Sequence, residues 1–265
     1  MASELVPELG LRPSSLVDLE YPDLFPTPPA YLSDSAEVLD NAAIQSPQHD
    51  RSEQNRSWLF YIAEISLRRT INDTIWLFYH KGEEYWLENI GLLVRQHSES
   101  DSQIGLWYSH LPDAIRFDPI HVPETEFSFH LQTRFLEWRE YTLRPLLYVY
   151  LHHPQNLPLR VLELSQEALN ISRDIILQAI HHHRHGGSWF VLRRSFSCAL
   201  LILAVVVKAG EVRPPENWPQ LIRVALSTLL KWESEARDVF LMRKVLENTF
   251  ATICKREGLA INSPS

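Results

Sequence analysis

The chain has 265 residues, 45% of them hydrophobic and 22% charged, with eight tryptophans and only eight glycines. That composition excludes a disordered or collagen-like chain, and scarce glycine beside many Leu, Ile, Glu and Arg argues for helices over a turn-rich β architecture. The formal net charge of −8 argues against nucleic acid as a direct partner, because phosphate binding draws on a basic face.

Residues 1–56 read as a Pro-rich, partly disordered, linker-like extension. Its first residues are acidic and lack an apolar stretch of signal-peptide length, so no secretory signal is read there. Prolines at 7, 13, 22, 26, 28 and 29 forbid one continuous helix, since each removes a donor and restrains its neighbour. A short helix is expected at 33–40, and the polar stretch 45–55 reads as a mobile linker. The helical body is expected over 57–256. Trp58 starts the strongest amphipathic pattern, with Leu59, Ile62, Ala63, Ile65, Ile75, Leu77 and Phe78 apolar and Glu64, Arg68 and Arg69 charged. The Gly82 region ends it. Helical patterns follow at 84–97 and 103–111, and Pro112, Pro119 and Pro123 mark a loop over the surface.

A long helix is expected over 127–151, with Pro145 kinking or splitting it. Pro154 and Pro158 end that element. Further helices are expected at 159–182, 188–209, 218–234 and 236–256, and 257–265 reads as a flexible tail. No stretch alternates with period two, and no fixed repeat or long heptad array occurs. The expectation is an all-α, irregular multi-helix domain of about eight helices. The longest apolar run, 198–207, is short of the roughly 20 residues a bilayer span needs, so it reads as a core helix and no membrane partner is expected.

The two cysteines, Cys198 and Cys254, have no Cys-x-x-Cys neighbour and can build no zinc cluster; both read as buried free thiols. His181, His182, His183 and His185 form the most conspicuous cluster. His181 and His185 have the i,i+4 spacing of metal ligands, but no companion Glu follows the His-Glu-x-x-His pattern. Gly186-Gly187 comes next, so the histidines read first as the last turn of a helix, where a protonated imidazole suits the helix dipole. No metal and no cofactor is assigned. Glu64 and Arg68 make an i,i+4 pair. Arg144, set among Leu143, Leu146 and Leu147, must find an acceptor if buried. The chain holds no dinucleotide fingerprint, phosphate loop, nucleophile elbow or zincin motif.

Four segments in order carry a resemblance. They are Trp58-Leu-Phe-Tyr-Ile-Ala-Glu-Ile-Ser-Leu-Arg-Arg69, Glu137-Trp-Arg-Glu-Tyr-Thr-Leu-Arg-Pro-Leu-Leu-Tyr148, His183-Arg-His-Gly-Gly-Ser-Trp-Phe-Val-Leu-Arg193, and Trp218-Pro-Gln-Leu221 with Leu230-Lys-Trp-Glu-Ser-Glu235. Together they resemble the regulatory, or middle homology, region of fungal zinc-cluster (Zn2Cys6) transcription factors. Tyr21-Pro-Asp-Leu-Phe-Pro26 resembles the linker of such proteins. The resemblance implies an all-α domain and a nuclear or cytoplasmic location. It does not carry over DNA recognition, since the cysteine cluster and basic linker that bind DNA in the family have no counterpart in these residues.

Three readings of function stay open. In the first, the domain regulates transcription through a protein partner, such as a zinc-cluster factor, or through a bound metabolite, without touching DNA, in the setting of fungal secondary metabolism. Arg68, Arg144 and Trp189 are its candidate ligand-binding residues. In the second, the fold has become a cofactor-independent cyclase or pericyclase whose apolar helical pocket holds its substrate in a near-attack shape, with His185, Trp189 and Arg193 as candidate catalytic residues. In the third, the chain is a remnant without biochemical activity.

Overall fold

A computed structural model describes residues 48–153, 156–183 and 187–258. The expected helix at 33–40, most of the Pro-rich extension, His185 and the tail beyond 258 lie outside the described residues. Among the described residues there are eight α-helices and no strand. They are α1 (Gln48–Tyr79), α2 (Glu83–Glu88), α3 (Ile90–Ser109), α4 (Glu126–His152), α5 (Leu159–Gln178), α6 (Ser188–Lys208), α7 (Trp218–Trp232) and α8 (Arg237–Glu257), with a 3-10 turn (Ala179–His181) after α5. The protein is therefore all-α, as its composition and periodicity predict.

Several boundaries differ from the sequence expectation, each for a local reason. α1 begins at Gln48, inside the stretch read as a polar linker. Polar helix formers are compatible with a helix that is nucleated further along, because propagation adds one hydrogen bond per ordered residue. The break expected after residue 97 falls at Asn89 instead. Asn89 donates from its side chain to Tyr85 O at 3.0 Å, and its own carbonyl accepts the Leu92 and Leu93 N–H groups, so it closes α2 and opens α3. The serine-rich stretch after His97 stays helical, with Ser98 Oγ donating to Val94 O at 3.0 Å. Pro145 does not split α4: it lies inside one continuous helix. Its cost of about 3 kcal/mol is outweighed by burial on both sides, where Leu143, Leu146 and Leu147 are fully covered.

The chain divides into two compact units, with divisions after α1 and inside α3 and α4. Of the described residues, the first holds 48–80 and 100–135. Here Trp107 Nε1 donates to Ala63 O at 3.3 Å and to Ser66 Oγ at 3.1 Å, tying α3 to α1. The segment after α3 is not merely draped over the surface, as its prolines suggested. Leu111, Ile115 and Phe117 are buried, Phe117 in an aromatic cluster with Tyr108 and Phe135. Gln132 Nε2 fastens the loop from α4, donating to Asp118 O at 2.7 Å and His121 O at 2.8 Å.

Of the described residues, the second unit holds 81–99, 136–153, 156–183 and 187–258. In it α5, α6, α7 and α8 form a bundle, with α6 packed against all three of the others. α6 is the one described helix long and apolar enough to cross a membrane. Its face of Val191, Leu192, Cys198, Ala199, Ile202, Leu203 and Val205 is buried in the bundle, which is how a core helix uses such residues. The C-terminal half of α4 joins this bundle: Ser165 Oγ donates to Leu146 O at 3.2 Å, and Arg139 pairs with Glu167. α2 is held by Trp86 edge-on to Tyr148, whose hydroxyl donates to Glu83 Oε2 at 3.2 Å.

Candidate functional site

Arg68 lies in the first unit and serves Glu64: its Nη2 donates to Glu64 Oε1 at 2.7 Å. Glu64 is buried, and burial alone would raise its pKa. His130, Arg134 and Arg68, within 3.8 Å, outweigh burial and bring the carboxyl down to about 2. One carboxylate thus fixes α1 against the first part of α4. Arg68 is the ion-pair partner that its i,i+4 spacing predicts.

Arg144, Trp189 and Arg193 belong to the second unit. Arg144 finds its acceptor one turn back: Nε and Nη2 donate to Glu140 Oε1 and Oε2 at 2.6 and 2.8 Å. Arg194, which the sequence reading passed over in favour of its neighbour Arg193, holds the centre of this layer. It is 2% exposed, with Nε 3.3 Å from Glu137 Oε1 and Nη1 3.4 Å from Glu140 Oε2. Its Nη2 donates to Tyr141 Oη at 2.7 Å. Two carboxylates and two guanidiniums balance in charge and join α4 to α6, as a buried ionic layer requires. A sequence signal for Arg194 exists: at helical spacing it shares a face with Val191, Ser195 and Cys198, all buried. Burial raises the Cys198 thiol well above its usual range, and Glu140 adds to the rise, so Cys198 is an inert core residue.

Trp189 stands in the first turn of α6. Its indole N–H donates to the Asp238 carboxylate in the first turn of α8, and its ring meets Phe190 edge-on at 5.0 Å. The Arg193 guanidinium lies over the Trp189 ring at 5.6 Å. The two residues are therefore together and part of the α6–α8 junction. His181 and His183 are exposed and His182 is buried. Among the described residues no three His, Cys, Asp or Glu side chains gather as a metal site would need.

A cleft of about 350 Å³ opens elsewhere in the second unit, away from Arg68, Arg144, Trp189 and Arg193. Its apolar walls are Val205 and Val206 from the last turn of α6, Val212 and Pro214 from the following loop, and Trp218 at the start of α7. Arg213 and Glu257 are the charged residues among its described lining. The loop is pinned at several points. Lys208 Nζ donates to Leu151 O at 3.0 Å, and Val212 N donates to Tyr150 Oη at 3.3 Å. Gln166 clamps the Arg213 backbone from both sides, receiving its N–H and donating to its carbonyl, each at 3.0 Å. Position 210 must be glycine, because a Cβ there would run into the Tyr150 hydroxyl. Ala209, also in the cleft wall, adopts the left-handed conformation at φ 48°, ψ 51°. That backbone costs a non-glycine residue about 1–2 kcal/mol, and strain of this kind persists only where its surroundings hold it.

The cleft can receive a small apolar body. Its polar lining is suited to orienting a ligand, and Arg213 and Glu257, both exposed, are not arranged as a nucleophile with a base. Comparison with models of known protein families, with curated proteins and with solved structures finds no match to this chain.

Proposed function

We propose that these residues form a transcription-factor-like regulatory module that senses an apolar small molecule and passes its state to a protein partner, without DNA contacts of its own, in fungal secondary metabolism. The observation that supports this reading best is the cleft between the end of α6 and the start of α7, with its valine, proline and tryptophan walls and its rigidly held loop. Pre-organised apolar pockets with a few fixed polar groups are how helical domains bind small molecules. The ordered resemblance of the four sequence segments to fungal zinc-cluster regulators supplies the transcriptional half of the proposal. The cleft's charged lining orients rather than catalyses, which favours a sensor over a cyclase.

The test joins all 265 residues to a heterologous DNA-binding domain driving a reporter, alongside native mass spectrometry of the purified chain. The Val206→Trp variant fills the cleft. The reading expects a retained apolar molecule or an associated chain in the wild type. It also expects a reporter response that Val206→Trp shifts at unchanged helicity. A chain that retains nothing, with a reporter indifferent to Val206→Trp, overturns it.

A further inference from the structure

The chemistry around the cleft is asymmetric, and the asymmetry points to a ligand class. Three helix ends meet there. α7 presents its N-terminal end at Trp218, α6 its C-terminal turn through Val205, Val206 and Ala209, and α8 its C-terminal end at Glu257. A helix N-terminus carries partial positive charge and a C-terminus partial negative charge. The side chains add full charges of the same two signs. Arg213 lines the cleft from a backbone that Gln166 fixes, and it makes no ion pair among the described residues. Glu257 lines it at the end of α8, and among the described residues its one ion-pair contact is a loose 4.0 Å to Arg256 Nε. Arg213 and Glu257 do not neutralise each other, so each is available to a ligand group of opposite charge. The remaining wall is aliphatic or aromatic.

We propose that the cleft binds a small apolar zwitterion, an α-amino acid with an aromatic or branched aliphatic side chain. Its carboxylate sits on Arg213, its ammonium on Glu257, and its side chain lies against Val206, Pro214 and Trp218. The guanidinium fork matches a carboxylate in two hydrogen bonds. The volume of about 350 Å³ accommodates the apolar amino acids. The inference rests on the sensor reading above and gives its ligand a chemical class.

Isothermal titration calorimetry of the full chain tests it with L-phenylalanine, L-leucine, 3-phenylpropionate, which lacks the ammonium, and phenethylamine, which lacks the carboxylate. The expected result is binding of at least one amino acid. For the phenyl series, phenylalanine binds at least 10-fold tighter than either single-charge analogue, since a site built for two charged groups penalises the loss of either. Arg213→Gln erases the preference over phenethylamine and Glu257→Gln the preference over 3-phenylpropionate. Both side chains are exposed, so neither variant threatens the fold. Equal binding of all the phenyl compounds, or tighter binding of an analogue, overturns the zwitterion and leaves the sensor reading standing. So does failure of both amino acids to bind while another retained molecule is lost in Val206→Trp. A chain that binds none of them and retains nothing overturns both.

Discussion

Replacing Arg194 by Met tests the buried charge layer most directly. The side chain of Arg194 is 3% exposed, and those of Glu137 and Glu140 are 5% and 3% exposed. Water therefore screens the layer little. Met keeps most of the aliphatic volume, so the change removes charge rather than opening a cavity. It leaves Glu140 with Arg144 and takes the Arg194 ion pair away from the buried Glu137 carboxylate. Removing one partner of a buried ion pair costs about 3–5 kcal/mol, a third or more of the total stability of an ordinary domain. Urea unfolding at neutral pH, followed by far-UV circular dichroism, should show the unfolding free energy falling by that amount, as a lower midpoint at an unchanged slope. Adding Glu137→Gln to the variant removes the surplus negative charge and should recover about 1 kcal/mol or more, because charges in contact are not additive. A loss below about 1 kcal/mol, the range of exposed pairs, would refute the assignment of this layer as a desolvated unit.

Three further expectations follow from the geometry. The Glu64 carboxyl is depressed from its usual 4.5 to about 2, so its contribution is fully present above pH 4.5 and is lost as the pH falls towards 2. That amounts to about 3 kcal/mol at most, and Glu64→Gln should flatten acid unfolding in that window. Native protein should leave Cys198 unlabelled by iodoacetamide, and urea should release it, since its thiol is buried and its pKa raised; rapid native labelling would refute the packing of α6. Ala209→Gly should raise thermal stability by about 1 kcal/mol by relieving the left-handed backbone. The neighbouring Gly210→Ala should lower it by forcing Tyr150 away. Thermal unfolding of the pair distinguishes a strained loop from a relaxed one.

Much of the fold is legible in the sequence, because helices are local objects. The three- and four-residue spacing of apolar side chains, with Pro158, Pro214, Pro215 and Gly258 as punctuation, places α4, α5, α6, α7 and α8 to within a few residues. Arg68 and Arg144 find the carboxylates that spacing predicts, Glu64 and Glu140, each one turn away. The expectation failed where a local cue had a tertiary answer. Pro145 was carried inside a helix by its buried neighbours, and the segment carrying Ile115 and Phe117 was drawn inward by Gln132, Ser128 and Tyr108.

The sequence by itself determined an all-α chain and the order of its helices, since period and composition act over one or two turns. Only the tertiary structure decided which charges meet. Arg194 reaches Glu140 across 54 positions and Gln166 reaches Arg213 across 47, separations over which no periodicity carries information. The cleft belongs to that second category. It arises where the ends of three helices converge, and its walls become a site only when packing brings Val205, Trp218 and Glu257 to the same place.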